Sequence, residues 1–320
     1  MHMKISGFTF ARNAGKLYYP VKASILSILP VVDEFIIALG DNDPDDDTRR
    51  QIESIGSPAI KIIDTVWDIE KYPRGMEYAH QTDIARSHCT GDWLFYLQAD
   101  EVIHEKFLPV IQARCRELLD NRSVEGMIFR YVHFWGDYGH YHDSHGWYRK
   151  EIRIIRNDPD IHSFQDAQSF RKIPRFDGIS YRNWEGTYKL RVAEIDAEVY
   201  HYGWVRPPHL MKSKNRVFKT HFRGVAGVEE LEKKNIRYFD FDYGVLSRLK
   251  VFKGTHPAVM KEWIERFNWA DQLQYRGRRN RLREPHKHEK LRYRIISFIE
   301  KYLLFGTPVG EFRNYIKLRV

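Results

Sequence analysis

Two adjacent carboxylates, Asp100 and Glu101, follow a short run of apolar and aromatic residues. The run spans residues 93–97, reads Trp-Leu-Phe-Tyr-Leu, and is typical of a central strand that is covered on both faces. Open α/β sheets bind their ligands at the carboxyl ends of such strands. A carboxylate pair there suits a divalent cation and, through it, a diphosphate. The alternative is that both residues cap the helix predicted to begin near Lys106.

The elements that must position these carboxylates alternate between strands and helices. Strands are predicted at residues 5–10, 34–39, 60–63 and 93–97, and helices at residues 21–29, 48–55 and 76–88. This order predicts a mostly parallel sheet with right-handed crossovers. Residues 126–134, 152–156, 168–171 and 197–202 then have strand patterns with no long helix between them. They predict a mixed extension of the sheet, and the chain after Pro207 is predicted to be mainly helical.

Charge is divided unevenly along the 320 residues. The net charge is +9, but residues 1–110 carry a net −6 and the rest carries +15. A hydrophobic fraction of 42% is that of a globular chain, and no apolar run is long enough to span a membrane. Residues 1–4 lack the apolar stretch of a secretory signal, and there are only two cysteines. These features predict a cytoplasmic protein.

The basic half of the chain ends in a candidate binding surface. Residues 276–294 contain nine Lys or Arg against two Glu, and residues 295–304 have apolar positions at helical spacing. A basic segment beside an amphipathic helix suits an anionic membrane surface. The alternative is an ordinary solvated basic surface. A nucleic-acid partner is also conceivable from charge and interleaved tyrosines, but it leaves the acidic first half unexplained.

Four segments of this chain have the order and spacing that are typical of one enzyme family. They are Phe10-Ala11-Arg12-Asn13; residues 32–41 with Asp47-Thr48; residues 83–101, ending in Gln98-Ala99-Asp100-Glu101; and residues 199–204, Val-Tyr-His-Tyr-Gly-Trp, with Lys212 downstream. Over residues 3–220 the chain resembles family 2 glycosyltransferases of the GT-A fold. The resemblance implies an α/β fold with a Rossmann-like, mostly parallel sheet, a mixed-strand extension and a C-terminal helical region. It predicts a GT-A domain over residues 1–220 and a basic, mainly helical extension over residues 221–320.

The resemblance also implies a metal site for Mn²⁺ or Mg²⁺. Its ligands would be Asp100 and a late histidine, His201, and imidazole suits Mn²⁺ better than Mg²⁺. Relatives usually carry Asp-x-Asp where this chain has Gln98-Ala99-Asp100. Gln98 offers an oxygen but no charge, so the departure puts the metal affinity in doubt. A strand-end histidine that bonds only to backbone is the alternative for His201.

Further roles follow from the resemblance for the nucleotide-sugar donor. The implied donor-contacting residues are Arg12, Asn13, Asp41, Asp83 and Gln98. Asp83 stands where relatives commonly carry Asn. Inverting transfer needs a base that takes the acceptor's proton. Asp166 lies between the metal motif and His201, where relatives carry that base, with Asp177 and Glu185 as substitutes.

Residues 131–149 are crowded with histidines and aromatic side chains. Aromatic residues with polar tips stack on sugar rings and bond their hydroxyl groups, which suggests a loop on the acceptor side. Simple packing of this loop over the sheet is the alternative. A zinc site is a weaker one, because neither a nearby cysteine nor a helical His-x-x-x-His accompanies the histidines.

The function that the resemblance implies is inverting glycosyl transfer by a metal-dependent cytoplasmic enzyme, and the basic tail predicts a peripheral position at the inner face of the membrane. The donor would be a UDP- or GDP-linked sugar, and the acceptor a glycan or lipid-linked glycan. A surface-polysaccharide pathway is the habit of the family. The alternatives are a nucleotidyltransferase, for which the loop after the first strand has too little glycine and basic charge, and a nucleic-acid-binding protein.

Overall fold

A parallel sheet forms the first part of the chain in the computed structural model, which describes residues 3–234, 241–305, 307–310 and 313–320. Its elements are β1 (Ile5–Ala11), α1 (Val21–Ile28), β2 (Glu34–Leu39), α2 (Thr48–Glu53), β3 (Ile60–Asp64), α3 (Met76–Ser87) and β4 (Trp93–Tyr96). The strands lie in the order β3-β2-β1-β4, and all three pairings are parallel. The predicted alternation of strands and helices is confirmed. Its ends differ from prediction by one or two residues.

Burial explains why the central strands read as continuous apolar runs. The residues of β2 and β4 are buried throughout, because helices or other strands cover both faces. The edge strand β3 is only half-buried. The carboxyl ends of β1 and β4 meet at one edge of the sheet, where the chain continues into the loops that carry Arg12 and Asp100.

The sheet continues as a mixed extension. Its elements are β5 (Glu101–Ile103), α4 (Leu108–Glu117), β6 (Gly126–Trp135), β7 (His140–His142), β8 (Lys150–Arg156), β9 (Ile161–Phe164), β10 (Ser169–Lys172) and β11 (Tyr188–Trp204). After β4 the order is β8-β6-β11-β10-β9. Strand β8 is antiparallel to both neighbours, whereas β6 and β11 are parallel. The predicted α/β class with a mixed extension is confirmed, although β5, β7 and β9 were not predicted.

Strand β11 is longer than its sequence pattern indicates, and it organises the extension. His201 in β11 pairs with Glu101 in β5 on one side and with His133 in β6 on the other. The pairing becomes irregular between His201 and Trp204, so the strand bends at this point. This register brings the turn after β4 beside the end of β11.

The remainder comprises α5 (Pro208–Lys234), β12 (Lys250–Val251), α6 (Lys261–Glu265), α7 (Leu291–Phe298) and β13 (Tyr315–Lys317). Helix α5 is interrupted at Gly224, and α7 continues as a π-helical turn over Ile299–Leu303. The prediction of a mainly helical region is correct only for α5 and α7. Residues 241–290 hold helices of three to five residues, because they wrap a second aromatic core shared with β6 and β11. The division at residue 220 stays a prediction. Within the described ranges, no helix combines the length and the apolar character needed to cross a membrane.

Candidate active site

A cavity of about 670 Å³ opens where the carboxyl ends of β1 and β4 meet the bend in β11. Six of the residues singled out from the sequence line it: Arg12, Asn13, Gln98, Asp100, Asp166 and His201. Asp41 and Asp83 do not. Helix α5 closes one side with a helically spaced face made of Lys214, Asn215, Val217, Phe218, His221 and Phe222.

Asp100 and His201 face each other across this cavity. The N–H of Tyr202 donates to the carbonyl oxygen of Asp100 at 2.8 Å, which fixes the turn after β4 to β11. The Asp100 Oδ2 then lies 3.6 Å from His201 Nε2 and 3.7 Å from Lys214 Nζ. Asp100 and His201 are both buried, at 6% and 7% exposure.

A second histidine determines which nitrogen of His201 faces the cavity. Burial keeps the pKa of His133 well below its usual value, so this ring is neutral. Its Nε2 lies 2.8 Å from the carbonyl oxygen of Tyr148, which only accepts, so Nε2 carries the hydrogen. His133 Nδ1 is therefore an acceptor, and His201 Nδ1 donates to it at 2.9 Å. His201 Nε2 is left facing the Asp100 carboxylate.

This arrangement fits a cation between the two side chains. A lone pair on His201 Nε2 and the Asp100 carboxylate repel each other unless a proton or a metal ion lies between them. The space is open because residue 203 is glycine: a Cβ there would lie 2.5 Å from both Asp100 Oδ2 and His201 Nε2. An imidazole nitrogen and a carboxylate oxygen are a suitable donor pair for Mn²⁺. Within the described part of the chain, no group of three or more His, Cys, Asp or Glu side chains converges on a metal position. A metal ion here would need further oxygen ligands from substrate or water.

The surroundings of Asp100 favour negative charge. Burial opposes its ionisation, but His201, Lys214 and Arg206 outweigh that effect and hold its pKa well below the usual value. Burial and the neighbouring Arg206 lower the pKa of Lys214 to about 7. Lys214 Nζ also donates to the carbonyl oxygen of Gly203 at 2.6 Å. The site therefore combines one carboxylate, one imidazole and a buried amine.

The loop after β1 is tied to the loop after β2. Arg12 pairs with Asp41, with an Nε–Oδ1 distance of 3.2 Å, and Asp41 Oδ1 also accepts from the N–H of Trp67 at 3.0 Å. Asn13 has a positive φ of 52°. Its side-chain oxygen accepts from the N–H of Asp43 at 2.7 Å. Asp41 therefore does not line the cavity, but it binds Arg12 and the backbone of Trp67, which do.

Aromatic side chains form the cavity wall beside Arg12. Phe10, Trp67, Tyr78 and His221 pack against one another there, with ring centroids 4.9 to 5.9 Å apart. The Nε1 of Trp67 and the Nδ1 of His221 are buried without a hydrogen-bond partner. Unpartnered buried polar atoms are costly, so this wall is suited to a flat ligand that carries hydrogen-bonding groups.

Asp83 lies away from the cavity. Its Oδ2 is 2.6 Å from His162 Nδ1, and its Oδ1 accepts from Arg86 and from the N–H of Ser163. These contacts fasten α3 to β9. The structure therefore does not bring Asp83 together with the other candidates.

Gln98 and Asp166 are neighbours across the cavity wall. Gln98 Nε2 donates to the carbonyl oxygen of Ala167 at 2.8 Å, so its amide holds the segment that carries Asp166. Asp166 Oδ1 accepts from the N–H of Gln168 at 2.8 Å. Burial raises the pKa of Asp166. A carboxylate with a raised pKa on a cavity wall is suited to accept a proton.

Sequence reasoning missed two of the lining residues, Lys214 and Trp67, and one buried residue outside this cavity, Glu151. Lys214 follows Met211 by one helical turn, and the period of α5 could have indicated it instead of the exposed Lys212. Trp67 lies in an irregular segment after β3, where no periodic signal exists. Glu151 is buried at 8% exposure within β8, and only the sheet register reveals it.

No family model matches this chain, and no curated protein matches it. Among solved structures, S. aureus TarS 1-349 matches with 15% identity and a TM-score of 0.34 over 52% of each chain. Another TarS 1-349 structure contains UDP-GlcNAc and matches with 16% identity, a TM-score of 0.29, and coverage of 41% of this chain and 35% of that one. Glucosyl-3-phosphoglycerate synthase from Mycobacterium tuberculosis, with Mg²⁺ and UDP, matches with 18% identity and a TM-score of 0.30, over 40% of this chain and 44% of that one. The chain spans about half or less of these structures.

Proposed function

We propose that this protein is a metal-dependent glycosyltransferase that uses a nucleotide-diphospho-sugar donor, UDP- or GDP-linked, with inversion at the anomeric carbon. The observation that carries the proposal is the convergence of Asp100, His201 and Lys214 on one cavity, with the space between the first two kept open by Gly203. A carboxylate, an imidazole and an amine together suit a cation and a diphosphate.

The lining of the cavity favours one orientation of the donor. The diphosphate lies beside Asp100, His201 and Lys214, where Lys214 gains a second negative partner in addition to Asp100. The nucleobase lies against the aromatic wall, where Trp67 and His221 offer unpartnered nitrogens to its polar edge. A cavity of about 670 Å³ is within the usual size range of small-molecule sites.

Asp100 and His201 would hold Mn²⁺ or Mg²⁺. Bound there, the ion would neutralise charge on the leaving nucleoside diphosphate. His133 keeps the His201 ring in the orientation that this role needs. Lys214 adds a second positive charge 3.7 Å from Asp100, so its ammonium can stabilise the same leaving group.

Asp166 is the base in this proposal. It accepts the proton of the acceptor hydroxyl as that oxygen attacks the anomeric carbon on the face opposite the diphosphate. Its support is its position on the cavity wall and its raised pKa. The bond from Gln98 to Ala167 and the N–H of Gln168 keep its carboxylate in place.

The C-terminal helix supports a peripheral position at an anionic membrane, on the cytoplasmic side. Along α7 and its π-helical continuation runs an exposed apolar stripe made of Leu291, Ile295, Phe298, Tyr302 and Phe305. Each of these side chains is more than half exposed. The basic residues Lys290, Arg292, Arg294 and Lys301 flank it. This charge suits anionic lipid, and a lipid-linked glycan acceptor would be presented at the same surface.

Calorimetry with nucleoside diphosphates tests the proposed donor and metal. UDP or GDP should bind in the presence of Mn²⁺ and bind at least tenfold more weakly without it. Asp100→Ala should lose the Mn²⁺ effect, whereas Asp196→Ala, an exposed partner of Arg130, should keep it. Transfer of label from a UDP- or GDP-sugar to water or a glycan then tests the reaction. Failure of the wild type to bind either nucleotide would reject the proposal.

A further inference from the structure

A second cavity of about 450 Å³ adjoins the first. The two share a wall made of Gly146, Trp147, Tyr148, Asp166, Gln168 and Lys287. Asp166 therefore faces both spaces, with the predicted donor site on one side and the second cavity on the other. A molecule in the second cavity would lie within reach of the base.

Among the described residues that line this second cavity, three buried polar side-chain atoms lack a hydrogen-bond partner. One is Trp147 Nε1, at the wall shared with the first cavity. The others are Glu151 Oε2 and Ser169 Oγ, whose residues are 8% and 6% exposed. A buried polar atom without a hydrogen bond is destabilising unless a ligand or water completes it. Glu151 and Ser169 both line the cavity. A ligand in the cavity could therefore supply the hydrogen bonds that these two buried atoms lack.

Glu151 is also connected to Asp166. Gln168 Nε2 donates to Glu151 Oε1 at 2.9 Å, and the N–H of Gln168 donates to Asp166 Oδ1 at 2.8 Å. One residue thus orients both carboxyl groups. Burial raises the pKa of Glu151 to about 7, so near neutral pH this carboxyl can either donate or accept a hydrogen bond. Hydroxyl groups, which also do both, are its natural partners.

The charges of the cavity select against an anionic ligand. Carboxyl groups of Glu151, Asp166 and Glu300 line it. The Arg149 guanidinium is engaged, since it pairs with Glu300 Oε2 at 2.5 Å, and His145 Nδ1 lies 2.8 Å from Glu300 Oε1. Lys287 lies at the boundary with the larger cavity and donates to the carbonyl oxygen of Gly146 at 2.5 Å. A phosphate or carboxylate in this space would meet more negative than available positive charge.

We infer that the second cavity is the acceptor subsite and takes an uncharged polyhydroxylated sugar ring, with Glu151 and Ser169 as its hydrogen-bonding partners. The inference rests on the proposed glycosyl transfer, because it uses Asp166 as the shared base. Trp147 supplies an aromatic surface for the ring at the shared wall. Glu151 and Ser169 thereby select the acceptor and do not contact the donor.

Binding of small glycosides tests this inference without requiring turnover. Saturation-transfer NMR with UDP and Mn²⁺ present should detect methyl glucoside, methyl galactoside or methyl N-acetylglucosaminide. Glycerol 3-phosphate should bind roughly tenfold more weakly than the glycosides, because its phosphate would lie near the carboxyl groups of the cavity and would lose at least one favourable contact. Glu151→Ala with Ser169→Ala should weaken glycoside binding by roughly tenfold or more, while UDP affinity stays within about twofold. Glu185→Gln, at an exposed position outside both cavities, is the control.

Each other outcome contradicts a different statement. If UDP and GDP do not bind the wild type, the proposed function fails, whatever the glycosides do. If UDP binds but no glycoside does, or glycerol 3-phosphate binds as tightly as the glycosides, the acceptor inference is wrong. The inference is also wrong if the double variant, with an unchanged melting temperature, binds glycosides as the wild type does.

Discussion

The imidazoles of His133 and His201 share a hydrogen bond between their Nδ1 atoms, 2.9 Å apart. His133 can only accept there, because its other nitrogen donates to the Tyr148 carbonyl oxygen. We expect His133→Phe to weaken Mn²⁺ binding in the presence of UDP by roughly 10- to 100-fold, the usual cost of losing a group that orients a metal-bound histidine. Titration followed by electron paramagnetic resonance measures it. His140→Phe, whose ring bonds Asp137 outside the cavity, should change nothing. Unaltered Mn²⁺ affinity in His133→Phe would separate His133 from the metal site.

The opening at Gly203 gives a sharper test of the cation position. An added Cβ would lie 2.5 Å from Asp100 Oδ2 and from His201 Nε2, so Gly203→Ala should abolish Mn²⁺-dependent nucleotide binding. The matched control is Gly139→Ala, whose Cβ would meet its nearest side-chain atom at an ordinary 3.7 Å. Calorimetry with UDP and Mn²⁺, together with melting curves, separates loss of binding from loss of fold. Normal binding by a folded Gly203→Ala variant would show that the cation does not bind between Asp100 and His201.

Substitution of Asp166 tests the base. We expect Asp166→Asn to keep donor affinity and lower turnover by ~10²-fold or more, the usual scale for general-base catalysis. The measurement is kcat with a labelled nucleotide sugar beside the Kd for UDP. Asp177→Asn, at an exposed position, is the control. Equal losses in UDP affinity and turnover would instead assign Asp166 to the donor.

Glu151 should make stability depend on pH in a specific window. Its pKa is about 7 in the folded chain against an ordinary 4.5, because burial disfavours its charged form. Between these values the folded state holds a proton that the unfolded state releases, so the free energy of unfolding falls as pH rises from 4.5 to 7. Arg153 and Asp166 are the charged neighbours that act on it.

The ionisation of Glu151 should lower the free energy of unfolding by about 3 kcal/mol between pH 4.5 and pH 7. Glu151→Gln removes it, so the variant should match the wild type below pH 4.5 and be more stable above pH 7. Urea unfolding of both proteins at several pH values measures the difference. A constant difference across this range would show that Glu151 ionises normally.

Vesicle sedimentation tests the exposed stripe on α7. The protein should bind vesicles that contain anionic lipid, ignore neutral ones, and dissociate as salt rises. Phe298→Glu should abolish binding, because it places a negative charge in the middle of the stripe, where Phe298 is 58% exposed. The control is Val217→Glu on α5, which is 37% exposed and lies outside the stripe. Binding that survives Phe298→Glu would exclude the stripe as the contact.

The sequence predicted the parallel half of the fold well, because β1, β2 and β4 are buried runs bounded by turn residues and separated by helices. The sequence predicted the mixed half of the sheet less well, because there the pairing between strands determines the structure. The register of β11 places His201 beside Asp100, and residues 161–164 form a strand only because β10 lies next to them. Asp100 is predicted from its place after a buried strand, and His201 from the motif resemblance. Glu151 was not found, because nothing local distinguishes an inward-facing glutamate from a solvated one.

Glu300 lies in the π-helical turn after α7 and is completely buried, and it binds both His145 and Arg149 from the loop that walls the two cavities. The helix that carries the apolar stripe is therefore fastened to this loop by the Arg149 ion pair and the His145 hydrogen bond. The single glutamate thus ties the part of the chain that we propose to meet lipid to the wall between the two cavities.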